Sequence, residues 1–220
     1  MKFRLFAAAL LLLAMASCTS PRERFTVRGV VTDSLATVPG SIVYLLGPDG
    51  PVDSTFAKHG TFSFSGEQDP TKQFVVMLRF PGRDLYDDSF MAAFVPDSKL
   101  IGIDLDYPAT VTGSPLTDAI NAYNEKVMNL YYEHETDIGS FAMNGEQEVA
   151  DSIYRAQIQK IVDLSRETYL ANTDNALGLQ AFSLLVSELG REELEELAAA
   201  GGEHIRNNEQ LKALIEGKEE

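Results

Sequence analysis

The chain has 220 residues, with 33 acidic and 18 basic side chains, a formal charge of -15 and a single cysteine. This surplus of acid argues against nucleic-acid binding and against a broad electrostatic grip on anionic lipid. One thiol leaves no intramolecular disulfide, no Cys-x-x-Cys redox pair and no cysteine-based metal site, and a chain of roughly 200 residues buries adequate cores without such bridges.

The first element is a leader. Lys2 and Arg4 precede an apolar run from Phe6 to Ala14, which Met15-Ala16-Ser17-Cys18 closes. A permanent membrane-spanning helix needs roughly 20 residues, so this shorter run reads as the h-region of a cleaved export signal. Small residues at Ala16 and Ser17 suit a peptidase that must fit the backbone beside the cut. The pattern resembles the lipobox of bacterial lipoproteins, with Met15 where that family prefers Leu. The resemblance implies a signal peptide over residues 1–17, a diacylglyceryl group on the sulfur of Cys18, and a lipidated tether over 18–23. Several acyl chains (palmitate, for example) on one residue anchor stably, because each buried methylene contributes about 0.8 kcal/mol.

From 24 to 113 the pattern is strand-like. Phe25, Val27 and Val30-Val31 open a first strand, and Ile42-Val43-Tyr44-Leu45-Leu46 is a second. Val52–Ala57 and Thr61–Ser65 flank the tight connection Lys58-His59-Gly60, with Phe62 and Phe64 alternating against Thr61, Ser63 and Ser65. Gln73–Phe80, Phe90–Val95, Leu100–Leu105 and Ala109–Thr112 follow, separated by Pro39-Gly40, Pro48-Asp49-Gly50, Pro81-Gly82 and Pro96-Asp97. Short strands at this spacing, with no long helix between them, predict an antiparallel β-sandwich-like domain or a partly open barrel.

At Ser114 the period changes. Ser114 is placed to cap a helix and Pro115 fits its first position, where a missing N–H costs nothing. Leu116, Ile120, Tyr123, Val127 and Leu130 recur at helical spacing to about His134. Gly139 to Gly145 reads as a break. A long helix follows over Glu146–Ala171. Asp174 or Asn175 caps a third through Leu189, Arg191–Ala200 is a short fourth, and Asn207 or Asn208 starts a last one through about Glu216. The fold class is therefore α+β: a β-sandwich-like domain over 24–113, then an α-helical region over 114–220.

Little in the chain carries chemistry. His59, His134 and His204 lie on a turn, a helix end and a loop, without the spacing of a zinc site. Asp104 and Asp106 alternate around Leu105, so both fall on one strand face. They suit an acid–base pair or oxygen ligands for calcium, and equally the solvent face of a strand whose Ile101, Ile103 and Leu105 point inward. No Gly-x-Ser-x-Gly elbow, Gly-x-Gly-x-x-Gly turn or Walker loop is present. Tyr123, Tyr131 and Tyr132 gather on the first helix, with Phe141 and Tyr154 nearby, as a packing cluster or a binding surface. The loop from Pro81 to Phe90 mixes Arg83, Asp84, Tyr86, Asp87 and Phe90, a composition able to grip a peptide, glycan or partner protein, and equally a plain strand connection.

Several stretches share one likeness. Phe25-Thr26-Val27-Arg28-Gly29-Val30-Val31, Ile42-Val43-Tyr44-Leu45-Leu46, Val52-Asp53-Ser54-Thr55, Gly60-Thr61-Phe62-Ser63-Phe64-Ser65-Gly66 and Gly113-Ser114-Pro115-Leu116, in that order, resemble the DUF4369 module of Bacteroidetes envelope lipoproteins. Asn172-Thr173-Asp174-Asn175-Ala176-Leu177-Gly178, Arg191 to Leu197 and Asn207-Asn208 resemble the helical region that follows it there. In that family the module commonly precedes a thioredoxin-like domain of TlpA or AhpC/TSA type, whose Cys-x-x-Cys does not occur in this sequence. The resemblance implies an accessory unit with no catalytic residue and no cofactor.

The expectation is a non-enzymatic envelope lipoprotein that binds or scaffolds a protein or glycan, anchored through Cys18 and facing the periplasm from the outer membrane. Two alternatives stand beside it: an accessory role in periplasmic thiol-redox or stress chemistry with a separate thioredoxin-like partner, and an Asp/Glu-dependent hydrolase.

Overall fold

The short apolar stretches between Arg24 and Thr112 form strands, and the helical periodicity after Ser114 forms helices. The computed structural model describes residues 23–31, 38–57, 59–81 and 90–218. Its strands are β1 (Arg24–Val30), β2 (Ile42–Gly47), β3 (Gly50–Phe56), β4 (Thr61–Glu67), β5 (Phe74–Arg79), β6 (Met91–Phe94), β7 (Leu100–Asp104) and β8 (Thr110–Thr112). They make two four-stranded sheets, sheet A in the order β4-β1-β7-β8 and sheet B in the order β3-β2-β5-β6. Sheet B is wholly antiparallel. In sheet A, β1 and β7 are parallel, with Val27 opposite Ile101. The chain passes from β1 to β2 and β3 of sheet B, back to β4, and through β5 and β6 of sheet B before β7, and such a crossover through the second sheet gives the connection length that a parallel pair needs.

Alternate residues of both sheets meet in one core. Phe25 and Val27 of β1, Val43 and Leu45 of β2, Val76 and Leu78 of β5 and Phe94 of β6 are all buried there. The ring of Phe25 lies 6.0 Å from that of Phe74 and 5.8 Å from that of Phe94. Burying a large apolar side chain contributes about 1.5–3 kcal/mol, so these inward positions dominate the stability of the sandwich.

Among the described residues seven helices follow: α1 (Pro115–Tyr132), α2 (Glu135–Met143), α3 (Gln147–Ala171), α4 (Ala176–Glu188), α5 (Arg191–Ala200), α6 (Glu203–Arg206) and α7 (Glu209–Glu216). α2 occupies the stretch expected as a break. Gly139 in a helix interior costs about 1 kcal/mol against alanine. α2 lies against α3, a contact that offsets that cost, and Ile138 and Phe141 are half-buried in it. α6 is a single turn that the sequence periodicity did not resolve. The helices bury a second core, centred on Tyr169, Phe182, Leu185 and Leu194. Gln157, 2% exposed, ties α3 to α1 by donating its amide to the carbonyls of Leu130 and Tyr131 in the last turn of α1, where the Leu130 carbonyl also accepts the Glu133 N–H at 3.4 Å.

The two cores are joined by a buried polar knot. Val95, just after β6, belongs to the helical core. Its N–H donates to Thr117 Oγ1 at 2.9 Å, and its carbonyl accepts from Ser114 Oγ at 2.9 Å. Ser114 has spent its proton on that carbonyl, so Thr117 is the donor in the 2.6 Å contact between the two hydroxyls. Ser114 Oγ also accepts the Thr117 N–H at 3.2 Å, which caps α1. Asp97 accepts the Leu116 N–H at 2.8 Å. On the other side of the joint, the Ala176 N–H donates to the Pro70 carbonyl at 2.8 Å.

Candidate functional site

The strands of sheet B present their second set of side chains outward, and that set is apolar. The register aligns Ser54, Tyr44, Met77 and Met91 in one row across the four strands. The next row is Pro51, Leu46, Val75 and Ala93, and Phe56, Ile42 and Arg79 make a third. Met77 is 6% exposed at the centre, Phe56 is 59% exposed at the edge, and Tyr44, Leu46, Val75 and Met91 are half-buried. None of these side chains belongs to or packs against either core among the described residues. The face carries no carboxylate in these rows, and Arg79 is its one charged group.

The outer face of sheet A follows the opposite rule. Thr26 and Arg28 of β1 lie beside Ser65 and Ser63 of β4, and Asp104 pairs with Thr110. Val30 and Leu100 are its exposed apolar members, at 46% and 54%. Sheet A thus alternates apolar inward and polar outward, as an antiparallel-rich sheet with one wet face does.

The residues singled out from sequence land elsewhere. Cys18, Arg83, Asp84, Tyr86 and Asp87 lie outside the described residues. Phe90 is half-buried against the sandwich core, edge-on to Phe80 at 5.3 Å, so it closes the core and does not stand in solvent. Asp104 and Asp106 are both exposed, and Asp106 accepts the N–H of Tyr107. That is a solvent-facing strand end. Among the described residues no cluster of three potential metal ligands occurs, and no helix is long and apolar enough to cross a membrane. His204 reaches the Asn175 carbonyl at 3.3 Å, and His134 lies 3.5 Å from Asp137.

The tyrosines divide. Tyr123 is buried, and its hydroxyl meets Ser165 Oγ at 2.8 Å. Burial pushes its phenol above the ordinary value, and the Ser165 hydrogen bond pulls part of the way back. Tyr169 is fully buried and donates to the Leu197 carbonyl at 2.7 Å. Both are packing residues. Tyr131, Tyr132 and Tyr154 are exposed. Tyr154 edges an open groove of about 520 Å³ between α3 and the α4–α5 turn, floored by Ile158, Val162 and Leu189. Arg166 and Glu193 bridge it at 2.5 Å. Its charged walls hold two guanidiniums, Arg155 and Arg166, and two carboxylates, Glu188 and Glu193, so the groove favours neither sign of ligand.

The Asn172–Gly178 segment is structural. Asn175, not Asp174, caps α4 by accepting from Leu177 N and Gly178 N at 3.0 and 3.2 Å. A Cβ on Gly178 would sit 1.8 Å from the Asn172 carbonyl oxygen. The Thr173 carbonyl takes the Gly202 N–H at 2.7 Å. These contacts hold the α3–α4 turn against α6.

Sequence reading missed the sheet B face. The signal was available in β2 and β5, where Ile42–Leu46 and Phe74–Leu78 are apolar without alternation. A strand of that kind has two apolar sides. No family model, curated protein or solved structure matches the chain.

Proposed function

We propose that the chain is a non-enzymatic lipoprotein of the cell envelope, anchored at Cys18, that works as a binding or scaffold module through the outer face of sheet B. The apolar, carboxylate-free rows of β2, β5 and β6 are the observation that carries this reading. Contiguous apolar surface beyond what a folded domain ordinarily exposes marks an interaction site. The leader and Cys18 support the envelope location, and the order of the strand and cap motifs supports kinship with the DUF4369 module.

Two measurements in cells test it together. Cys18→Ser should remove the acyl mass and release the protein from the membrane fraction. A photo-crosslinking residue placed at Tyr44 or Phe56 should give adducts of protein or lipid, and the same residue at Ser63 on sheet A should give none. Retention of Cys18→Ser on membranes with an unchanged mass would sink the anchor. Equal labelling at the two faces would sink the binding face.

A further inference from the structure

We infer that the surface that sheet B's outer face meets is the lipid bilayer itself, so that the anchored sandwich rests on the membrane through Tyr44, Phe56 and Met91, with Met77 buried beneath them. This rests on the anchor proposed above and adds an orientation to it.

The charge pattern points to lipid. In a chain with 33 acidic side chains, the three rows of this face hold none. A surface that leaves water for an acyl boundary cannot keep carboxylates, because each would lose its hydration unpaired. The one charge present, Arg79, is exposed at the end of β5. A guanidinium is the cation that best matches a lipid phosphate. Tyr and Phe suit the headgroup boundary, where a ring can be half wet.

Reach permits this orientation. From Cys18 to Arg24, where β1 starts, six residue steps span at most about 20–22 Å. Stacked sheets lie about 10 Å apart, so a tether leaving β1 in sheet A extends past sheet B and its outward side chains. The outer face of sheet A is within the same reach, but Arg28, Ser63, Ser65 and Asp104 would be stripped of water there. Anchoring also keeps the bilayer permanently at high effective concentration, an advantage no diffusing protein has.

The chain contains no tryptophan, so Tyr44→Trp creates a unique emitter. The mature chain from Cys18 is coupled through its only thiol to a maleimide lipid in phosphatidylcholine vesicles, with and without brominated acyl chains. We expect the Tyr44→Trp emission to shift blue on coupling and to fall at least twofold with brominated lipid. Ser63→Trp, on sheet A, should change by less than a tenth. Met91→Trp repeats the measurement in the same row, should Tyr44→Trp fail to fold. An unquenched sheet B emitter at full coupling, or equal quenching of both faces, overturns the inference. So does a blue shift without vesicles that grows with protein concentration, which would put a second copy on this face. Coupling here is chemical, so the result is independent of whether cells acylate Cys18, which the Cys18→Ser fractionation reads separately.

Discussion

Sheets A and B are built from strands of similar length around a shared core, yet their outer faces differ in kind. Sheet A shows Thr26, Arg28, Ser63, Ser65 and Asp104 to solvent; sheet B shows Ile42, Tyr44, Leu46, Val75 and Met91. Inward residues report only that a core exists, because both sheets need one. The outward residues carry the information about what lies beyond the fold, and only sheet B departs from the polar rule.

The sharpest way to break this contrast uses two neighbours on β2. Leu45 is 2% exposed and faces the core, so Leu45→Ala should cost about 2–5 kcal/mol in urea unfolding. Tyr44→Ala, one residue earlier on the other face, should cost about 1 kcal/mol, within the ordinary range for positions outside a core. Equal costs would mean that the outer face is packed as tightly as the inner one, and the contrast would vanish.

Loosening the joint should leave the contrast standing. Thr117→Val keeps the shape but removes the acceptor of the buried Val95 N–H. Leaving that group unpaired should cost about 1–3 kcal/mol. Hydrogen exchange should quicken at Val95 and through α1, while β2 and β5 keep their protection. Faster exchange in β2 would show that sheet B leans on the helices.

A dye that fluoresces on apolar surfaces reads the two faces directly. Met91→Glu should cut its signal by about half or more, by placing a charge in the central row, and Ser63→Glu should leave it unchanged. An unchanged signal from Met91→Glu would show that the dye, and the exposed apolar area, lie elsewhere.

The smallest effect separates the sandwich from the helical region by pH. Burial raises the phenols of Tyr123 and Tyr169, with Ser165 and Arg206 respectively pulling part of the way back. A phenol with a raised value in the folded state binds its proton more tightly there than in the unfolded chain. Its contribution is therefore complete below the free value of 10.0 and is lost as pH rises through the folded value. Helical circular dichroism should weaken above pH 10.0, and Tyr123→Phe should flatten that loss. An unchanged slope would assign the alkaline transition to another group.

At the sheet domain the legible part of the sequence was its period and its punctuation. Phe62 and Phe64 alternate cleanly, and Pro48-Asp49-Gly50 and Pro81-Gly82 mark turns, so most strand limits fall within two residues of the observed ones. Ser114, Asn175 and Asn208 cap their helices as their side chains suggest. α2 was not legible, because a glycine argues locally against a helix that only its packing on α3 supports. The parallel pairing of β1 with β7 was not legible either, since strand pattern carries no direction. The candidate face was half legible: its residues stood in the sequence as unbroken apolar runs. Only the register shows that Tyr44, Met77 and Met91 come together in one row.

The two-sided apolarity of β2 and β5 bears on how the chain finds its pairing. When one face of a strand is polar, a slip of one residue turns polar groups into the core, and the error is rejected. In β2 and β5 such a slip would exchange one apolar set for another, so hydrophobic pattern discriminates poorly between registers. The choice falls to local geometry: the irregularity between Leu45 and Leu46 opposite β3, and the tight turn closed by Gly50 at φ +117°, a conformation that other residues rarely adopt. A side chain at Gly50 would therefore do more than strain a turn. It would weaken the main device that tells sheet B which of two nearly equivalent alignments is the right one.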